Sequence, residues 1–182
     1  MKNRHPDWTL YPFVFILLLV AFRSHAATET PAVSVVTDTA PSVTIKHGLT
    51  KLTEALRAKN IAFEQVVSLD LARAKSVIVA GLAVGEGTAA RLLKGANHPL
   101  PNGPEALTVW KTTATKKRAW VISGFDERGL MYALLDVADR IGWSKNRNAP
   151  LSELKEINEK PAVSDRAISI YTMNRAYWES RL

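Results

Sequence analysis

A wide apolar stripe between Asp126 and Trp143 constrains the fold more than any other feature of this 182-residue chain. In a helix, one row of apolar residues would repeat every three or four positions, and a second row would widen it. Such a surface is typical of a helix that packs across a β-sheet. The first row is Leu130, Leu134, Val137 and Ile141, and the second is Met131, Leu135 and Ala138.

The ends of this predicted helix carry their own signals. Asp126 is a favoured N-cap residue, and Phe125 and Leu130 stand at the spacing of a hydrophobic staple. Glu127 lies in the first turn, where the helix dipole favours a negative charge. We therefore expect a helix from Glu127 to Ile141, closed by Gly142 and the residue after it.

The preceding residues predict the sheet. Apolar runs and turn residues predict strands at Ala62–Leu69 and Ser76–Ala80, and an antiparallel hairpin of Leu107–Thr113 with Arg118–Ser123. A short helix is expected around Thr88–Lys94. The predicted fold class is therefore α+β, with a mixed sheet of about four or five strands and helices mainly on one face.

The first part of the domain combines a strand with a helix. Ser42–Lys46 alternates between polar and apolar residues, which predicts a short strand. Leu49–Lys59 has leucines at helical spacing, and Asn60 follows as a left-handed C-terminal cap. We place the α/β domain at residues 42–143, after a Thr-, Pro- and Ala-rich loose lead-in over residues 27–41.

The amino terminus resembles a secretory signal. Lys2 and Arg4 precede the apolar run Tyr11–Phe22, and Ser24–Ala26 supplies small residues before Ala27. The run is shorter than the roughly 20 residues that span a bilayer. We expect residues 1–26 to be cleaved, which would leave no stable membrane anchor; an uncleaved N-terminal anchor is the alternative.

The chain contains no cysteine. This composition excludes disulfides, thiolate metal sites, a Cys nucleophile and lipid attachment at a lipobox cysteine. Together with the signal, it predicts an exported protein, periplasmic or extracellular, that is held together by its apolar core.

The positive charge does not predict a nucleic-acid partner. The formal net charge is +7, and Lys116–Arg118, at the expected hairpin turn, forms the only tight basic cluster. Nucleic-acid binding would need a basic face with interleaved aromatic residues. We therefore expect a solvated surface and no nucleic-acid partner.

Cofactor and metal chemistry receive little support. The loop Gly81–Gly87, between a strand and a helix, resembles the glycine pattern of short-chain dehydrogenases, but its context favours a tight strand-to-helix turn. No acidic residue ends a strand about 20 residues later, and no Tyr-x-x-x-Lys pair exists. His47 and His98 are far apart in the sequence, without partners at ligand spacing. We expect no cofactor and no metal.

Catalytic carboxylates are not evident either. Glycoside cleavage needs two acids across one bond, but Asp126 and Glu127 are explained by helix capping. Asp136 and Asp139 fall on a solvated helix edge beside Arg140. Four tryptophans remain as either sugar-stacking platforms or core residues, with core packing favoured for the two inside predicted strands. They are Trp110, Trp120, Trp143 and Trp178.

Two stretches resemble a known family. The segment from Trp120 to Gly142 contains a strand, then Asp126-x-Arg-Gly-x-x-Tyr-Ala133, then a helix. It is similar to the N-terminal accessory domain of bacterial alpha-glucuronidases and beta-N-acetylhexosaminidases, and Ser76–Ala80 with its glycine loop resembles the Ile-Val-x-Gly element of that domain. Pro161-x-x-x-x-Arg166 before an apolar strand is similar to the start of the (β/α)8 catalytic barrel in these enzymes.

This resemblance implies a role for one residue. An arginine at the start of the first barrel strand contacts the sugar in such families, and Arg166 matches that position. We accordingly expect a linker over residues 144–165 and one orphan strand within residues 166–182, the start of a missing barrel. The catalytic carboxylates of the family lie in later barrel strands, so no catalytic residue is carried over to this chain.

The sequence thus predicts an exported, non-catalytic accessory domain of a glycoside hydrolase-like protein. A poly- or oligosaccharide would be its partner, through the missing barrel. A stand-alone periplasmic binding or scaffolding module is the alternative.

The first prediction concerns export. Cleavage between Ala26 and Ala27 should give a mature protein that begins at Ala27. Mass spectrometry of the intact protein from a cell fraction outside the cytoplasmic membrane would check this. Recovery of an uncleaved chain that keeps Met1–Phe22 in the membrane fraction would favour the anchor instead.

Overall fold

The computed structural model describes residues 30–37, 41–113, 115–146, 149 and 151–163. In these residues, six strands form one mixed sheet that carries three α-helices, which confirms the α+β class with more strands than predicted. The strands are β1 (Val33–Thr37), β2 (Phe63–Val66), β3 (Ser76–Leu82), β4 (Leu107–Thr112), β5 (Arg118–Gly124) and β6 (Ile157–Glu159). The helices are α1 (Val43–Ala58), α2 (Thr88–Gly95) and α3 (Glu127–Trp143).

The sheet has a parallel centre and an antiparallel side. The strand order is β2-β1-β3-β5-β4-β6. Strands β2, β1, β3 and β5 are parallel, whereas β4 pairs antiparallel with both β5 and β6. The predicted hairpin is therefore confirmed as the β4–β5 pair.

The two faces of the sheet are covered unequally. On the front face, α1 and α3 pack over residues such as Val35, Ile78 and Ile122, which are fully buried. On the back face, α2 and neighbouring loops cover a smaller cluster that includes Val36 and Val79. The prediction that helices lie mainly on one face is confirmed, with the short α2 on the opposite face.

Helices α1 and α3 approach closely at Gly48. A Cβ atom added there would lie 3.0 Å from Leu134 Cβ and 3.3 Å from Met131 Cα. Side chains at this point would force the helices apart, so a glycine fits the contact. The predicted apolar stripe of α3 is buried as expected, since Leu130, Leu134, Val137 and Ile141 are at most 1% exposed.

The predicted lead-in over residues 27–41 is wrong for Val33–Thr37, which forms β1. This strand lies between β2 and β3, and Val33, Val35 and Val36 are fully buried. A parallel strand buried on both faces shows an apolar run and no alternation. The run here is too short to stand out from its Thr-, Pro- and Ala-rich surroundings.

The predicted strand at Ser42–Lys46 is also wrong, because α1 begins at Val43. Ser42 is the N-cap, and its Oγ accepts a hydrogen bond from the Ile45 backbone N–H at 3.4 Å. Val43 is 84% exposed, so the alternation in this segment does not reflect a buried strand face. Downstream, Asn60 has φ of 54°, which confirms the predicted left-handed cap.

The predicted linker over residues 144–165 contains a further strand. Ile157–Glu159 forms β6, which pairs with the open edge of β4. Ile157 also packs against the front core, and Leu154 is buried in it. A three-residue strand with one apolar residue is too short to give a periodic signal.

Two predicted segments cannot be compared with the structure. The signal segment 1–26 and the strand expected within 166–182 both lie outside the described residues. In the described ranges, no helix has the length and apolar character needed to cross a bilayer.

The second prediction tests the α1–α3 contact. Leu134→Ala should lower the free energy of unfolding by about 2–5 kcal/mol, because it leaves a cavity at a fully buried site. Urea denaturation would measure this loss. Val43→Ala, at an exposed site on α1, should stay within about 0.5 kcal/mol of the parent. Equal stabilities for the two variants would contradict the packing described here.

Candidate functional site

The residue expected to contact a sugar, Arg166, lies outside the described residues. Its role stays a prediction. The structure does describe the other stretch that carries the family resemblance, from Trp120 to Gly142. The contacts of its polar residues, Asp126 and Arg128 among them, therefore lie within the described part of the chain.

Asp126 joins two parts of the backbone. Its Oδ1 accepts a hydrogen bond from the Gly129 N–H at 2.8 Å, which caps α3. Its Oδ2 accepts one from the Glu105 N–H at 2.9 Å, and Glu105 has φ of 60° in the loop before β4. Both carboxylate oxygens therefore hold backbone amides in place.

The next two motif residues strengthen the same junction. The Arg128 guanidinium forms an ion pair with Glu105 at 3.4 Å. Gly129 lies against the backbone at Ala106, since an added Cβ would be 2.3 Å from the Ala106 carbonyl oxygen. That oxygen accepts a hydrogen bond from the Phe125 N–H at 2.9 Å. The Asp-x-Arg-Gly motif thus fixes the start of α3 to the loop that begins the hairpin.

A cavity of about 310 Å³ lies at the carboxyl ends of β1 and β3. The connection after β1 goes to the front face and the connection after β3 to the back face, so the cavity is at a topological switch point, where ligands commonly bind in α/β sheets. Among the described residues that line it, Glu127 is the one carboxylate. The cavity therefore does not supply the two acids that glycoside hydrolysis requires.

A second carboxylate network joins the edge strand β2 to its neighbour β1 and to the turn before β3, at the amino ends of these strands. Glu64 Oε1 accepts hydrogen bonds from Ser34 Oγ at 2.7 Å and the Arg73 N–H at 2.6 Å, and Oε2 accepts one from Arg73 Nε at 2.7 Å. Ser34 Oγ in turn accepts a hydrogen bond from the Ala74 N–H. This network links β1, β2 and the turn before β3.

The network sets the protonation state of Glu64. Burial acts to raise the pKa of this carboxyl, but the hydrogen bonds from Ser34 and Arg73 and the Arg73 charge outweigh it and lower the pKa to about 2. On α3, the Asp136 carboxylate accepts a hydrogen bond from Arg140 Nε at 2.6 Å, which raises the pKa of Arg140. The Glu64 and Asp136 carboxylates are therefore each bound by an arginine of the same domain, which gives both residues a structural role.

His98, Trp110 and Trp120 occupy packing positions, whereas His47 and Trp143 are exposed. His98 stacks on Trp110 with ring centroids 4.5 Å apart, and burial lowers the pKa of this histidine. Trp120 is 8% exposed in the front core, as its predicted strand position favours. Trp143, by contrast, is 68% exposed. Within the described residues, no group of three His, Cys, Asp or Glu side chains is placed to hold a metal ion.

The glycine loop after β3 forms a turn into a helix. The Ala83 N–H donates to the Gly124 carbonyl at 2.8 Å, Gly85 has φ of 94°, and Gly87 is the N-cap of α2. The tight strand-to-helix turn is confirmed. Sequence reasoning missed Glu105 and Glu64, whose partners come from distant segments.

Solved structures of glycoside hydrolases contain parts that are similar to this chain. No family model matches the chain, and no curated protein matches its sequence. The chain is similar to a GH138 enzyme targeting pectin rhamnogalacturonan II, at 17% identity and a TM-score of 0.48, covering 72% of this chain and 12% of that one. It is also similar to CpGH84D at 17% identity and a TM-score of 0.41, covering 69% of this chain and 19% of that one. The chain thus spans a minor part of each.

The third prediction tests the junction at Gly129. Gly129→Ala should lower the free energy of unfolding by about 1–3 kcal/mol, because the new methyl group would collide with the Ala106 backbone. Gly142→Ala is the matched control, since nothing lies within 4 Å of a Cβ added there. In a helix that change should be neutral or stabilising, by up to about 1 kcal/mol. Thermal or urea unfolding of both variants would check this, and a neutral Gly129→Ala would contradict the close approach.

The fourth prediction concerns pH. The folded-state pKa of Glu64 is lowered from 4.5 to about 2, so the stabilisation that it provides is complete above the unfolded-state value and is lost as the pH falls towards 2. Glu64→Gln should be less stable than the parent at pH 6 and should lose less stability between pH 5 and pH 2.5. Urea unfolding at several pH values measures this. Parallel curves for parent and variant would contradict the network.

Proposed function

We propose that this chain is an exported, non-catalytic accessory domain of a glycoside hydrolase-like protein. One observation carries the proposal: the family-like motif builds a contact between two segments and not a reactive site. Asp126 caps α3 and holds the Glu105 amide, and Gly129 lies against Ala106. In this proposal, the motif stabilises the domain and takes no part in catalysis.

The carboxylates support the non-catalytic part of the proposal. A retaining or inverting glycosidase holds two carboxyl groups across the scissile bond. Here Asp126, Glu64 and Asp136 are engaged by backbone amides or arginines. Glu127 lines the cavity at the carboxyl edge without a second acid among the described lining residues. In this proposal, the chemistry belongs to a catalytic barrel with which the domain is assembled.

The export and sugar parts of the proposal depend on the sequence. The basic start, apolar run and small residues before Ala27 support export. Arg166 is proposed to contact the sugar at the first strand of the barrel, because the five donors of a guanidinium suit hydroxyl and carboxylate groups. In this proposal, poly- or oligosaccharide binding takes place on the barrel side of residue 166.

The fifth prediction tests the proposed function. The purified 182-residue protein should not hydrolyse aryl-glucuronides or aryl-N-acetylhexosaminides. In the genome of origin, the DNA after codon 182 or a neighbouring reading frame should encode a (β/α)8 barrel. In a protein that joins the two, activity should appear and Arg166→Ala should weaken substrate binding.

Two results would overturn this proposal. Turnover by the purified chain that is abolished by mutating one of its own carboxylates would make it an enzyme. The absence of any barrel-encoding sequence nearby would favour the stand-alone binding or scaffolding module.

A further inference from the structure

A second, larger cavity lies at the end of the sheet where the parallel strands β1, β3 and β5 begin. Its volume is about 700 Å³, within the range of small-molecule sites. It lies on the front face, beyond the region that α1 and α3 cover, and residues 149 and 151–156 form its outer wall. Its described lining residues are Ala32, Ser76, Lys111, Arg118, Trp120, Ala149, Leu151, Ser152, Leu154 and Glu156.

The strand register places two cations beside a tryptophan in this cavity. Lys111 on β4 lies directly opposite Trp120 on β5, so their side chains project from the same face about 5 Å apart at Cβ. Arg118 precedes Trp120 by two positions and shares that face, beside Ser76 on β3. The apolar core of this face, which includes Val35, Ile78 and Ile122, therefore ends in a positively charged corner.

The wall of the cavity is fixed to the sheet. Glu156 Oε1 accepts a hydrogen bond from the Lys111 backbone N–H at 3.1 Å. Leu154 is buried in the front core, and Leu151 packs against it. These contacts hold residues 151–156 against the sheet. The wall of the cavity is therefore supported by tertiary contacts.

The charges of the cavity favour an anion. Lys111 and Arg118 bring two positive charges and Glu156 one negative charge, with one oxygen of that carboxylate already hydrogen-bonded. Arg118 has no ion pair among those found in the described part of the chain. Lys111 and Arg118 occupy diagonal positions on one face of the β4–β5 pair. A guanidinium and an ammonium on one face suit a carboxylate, which the guanidinium can bind through two parallel hydrogen bonds.

The remaining surface suits a hydroxylated ring. Ser76 and Ser152 offer hydroxyl groups, while Trp120, Leu151 and Leu154 form an apolar side. A sugar ring likewise has an apolar and a polar side. Its C–H groups contact apolar and aromatic side chains, and its hydroxyl groups form hydrogen bonds. Both requirements are met by a sugar that carries a carboxylate.

We propose that this cavity binds a hexuronic acid, as a free monosaccharide or as the terminal unit of an oligosaccharide, with Arg118 and Lys111 holding its carboxylate. The site belongs to the domain itself and does not depend on a catalytic barrel. It would therefore remain if the proposed accessory role failed, and its own failure would leave that role intact.

Titrations of the ¹⁵N-labelled protein with defined probes, followed by NMR, would test this site. D-Glucuronate, D-galacturonate and digalacturonate are the probes, and D-glucose and acetate are the controls. We expect saturable shifts with at least one uronate probe at residues that line the cavity, including the Trp120 indole. Glucose and acetate should each bind at least about tenfold more weakly, because a charged hydrogen bond contributes that much or more. Tighter binding of digalacturonate than of either monomer would identify a chain end as the ligand.

Variants then locate the binding. Arg118→Gln and Lys111→Gln should each weaken uronate binding by at least about tenfold, and both positions are exposed, so folding should be kept. Lys94→Gln, at an exposed position on α2, removes the same charge elsewhere and should bind like the parent. Equal melting temperatures would confirm that all variants are folded.

Three outcomes would overturn the proposal. The first is the absence of saturable shifts with every uronate probe. The second is equal binding of glucose or acetate, which would remove the need for either the carboxylate or the sugar ring. The third is uronate binding that survives both Arg118→Gln and Lys111→Gln.

Discussion

The close approach of α1 and α3 over the parallel centre of the sheet is the contact on which the rest of the structure depends. Gly48 lets the two helices meet at Leu134, and together they seal the front face over β1, β3 and β5. Without this pair, the front core would keep only the cover of Leu151, Leu154 and Ile157, since α2 packs on the other face. Burial of apolar surface is the dominant favourable term in folding, and most of that surface here faces the two helices.

The family-like motif acts through that same helix. Asp126 and Gly129 fix the first turn of α3 to the loop at Glu105 and Ala106, which leads into β4. The position of α3 on the front face is therefore tied to the start of the hairpin. The contacts of Asp126 and Gly129 account for these two residues without a reaction at the site.

The two ends of the sheet differ in character. At the carboxyl end, the cavity near β1 and β3 is the smaller of the two, with one carboxylate and no Lys or Arg among its described lining residues. At the amino end, the larger cavity carries Lys111 and Arg118 beside Trp120. Charged groups on the core face of a sheet are costly unless they remain hydrated or paired. Their position where the helices no longer cover the sheet satisfies this condition and leaves them accessible to a ligand.

Local sequence signals determined the elements that carry them. The stripe and cap of α3, the left-handed Asn60 and the β4–β5 hairpin each depend on residues within one turn or one strand pair. The same locality explains the errors. β1 is buried on both faces and has no alternation, the alternating Ser42–Lys46 segment contains a cap and a helix start, and β6 is only three residues long.

Tertiary structure alone decided which distant residues share a site. Glu105 reaches Asp126 and Arg128, and Glu64 reaches Ser34 and Arg73, through strand order and loop placement that no local pattern encodes. The cavity at the amino-terminal edge likewise needs the register that sets Lys111 opposite Trp120. By itself, the sequence determined the fold class and the main helix, because these follow from short-range periodicity and capping. The sheet order brought together the side chains that hold or line each site, because hydrogen-bonded register acts between segments far apart in the chain.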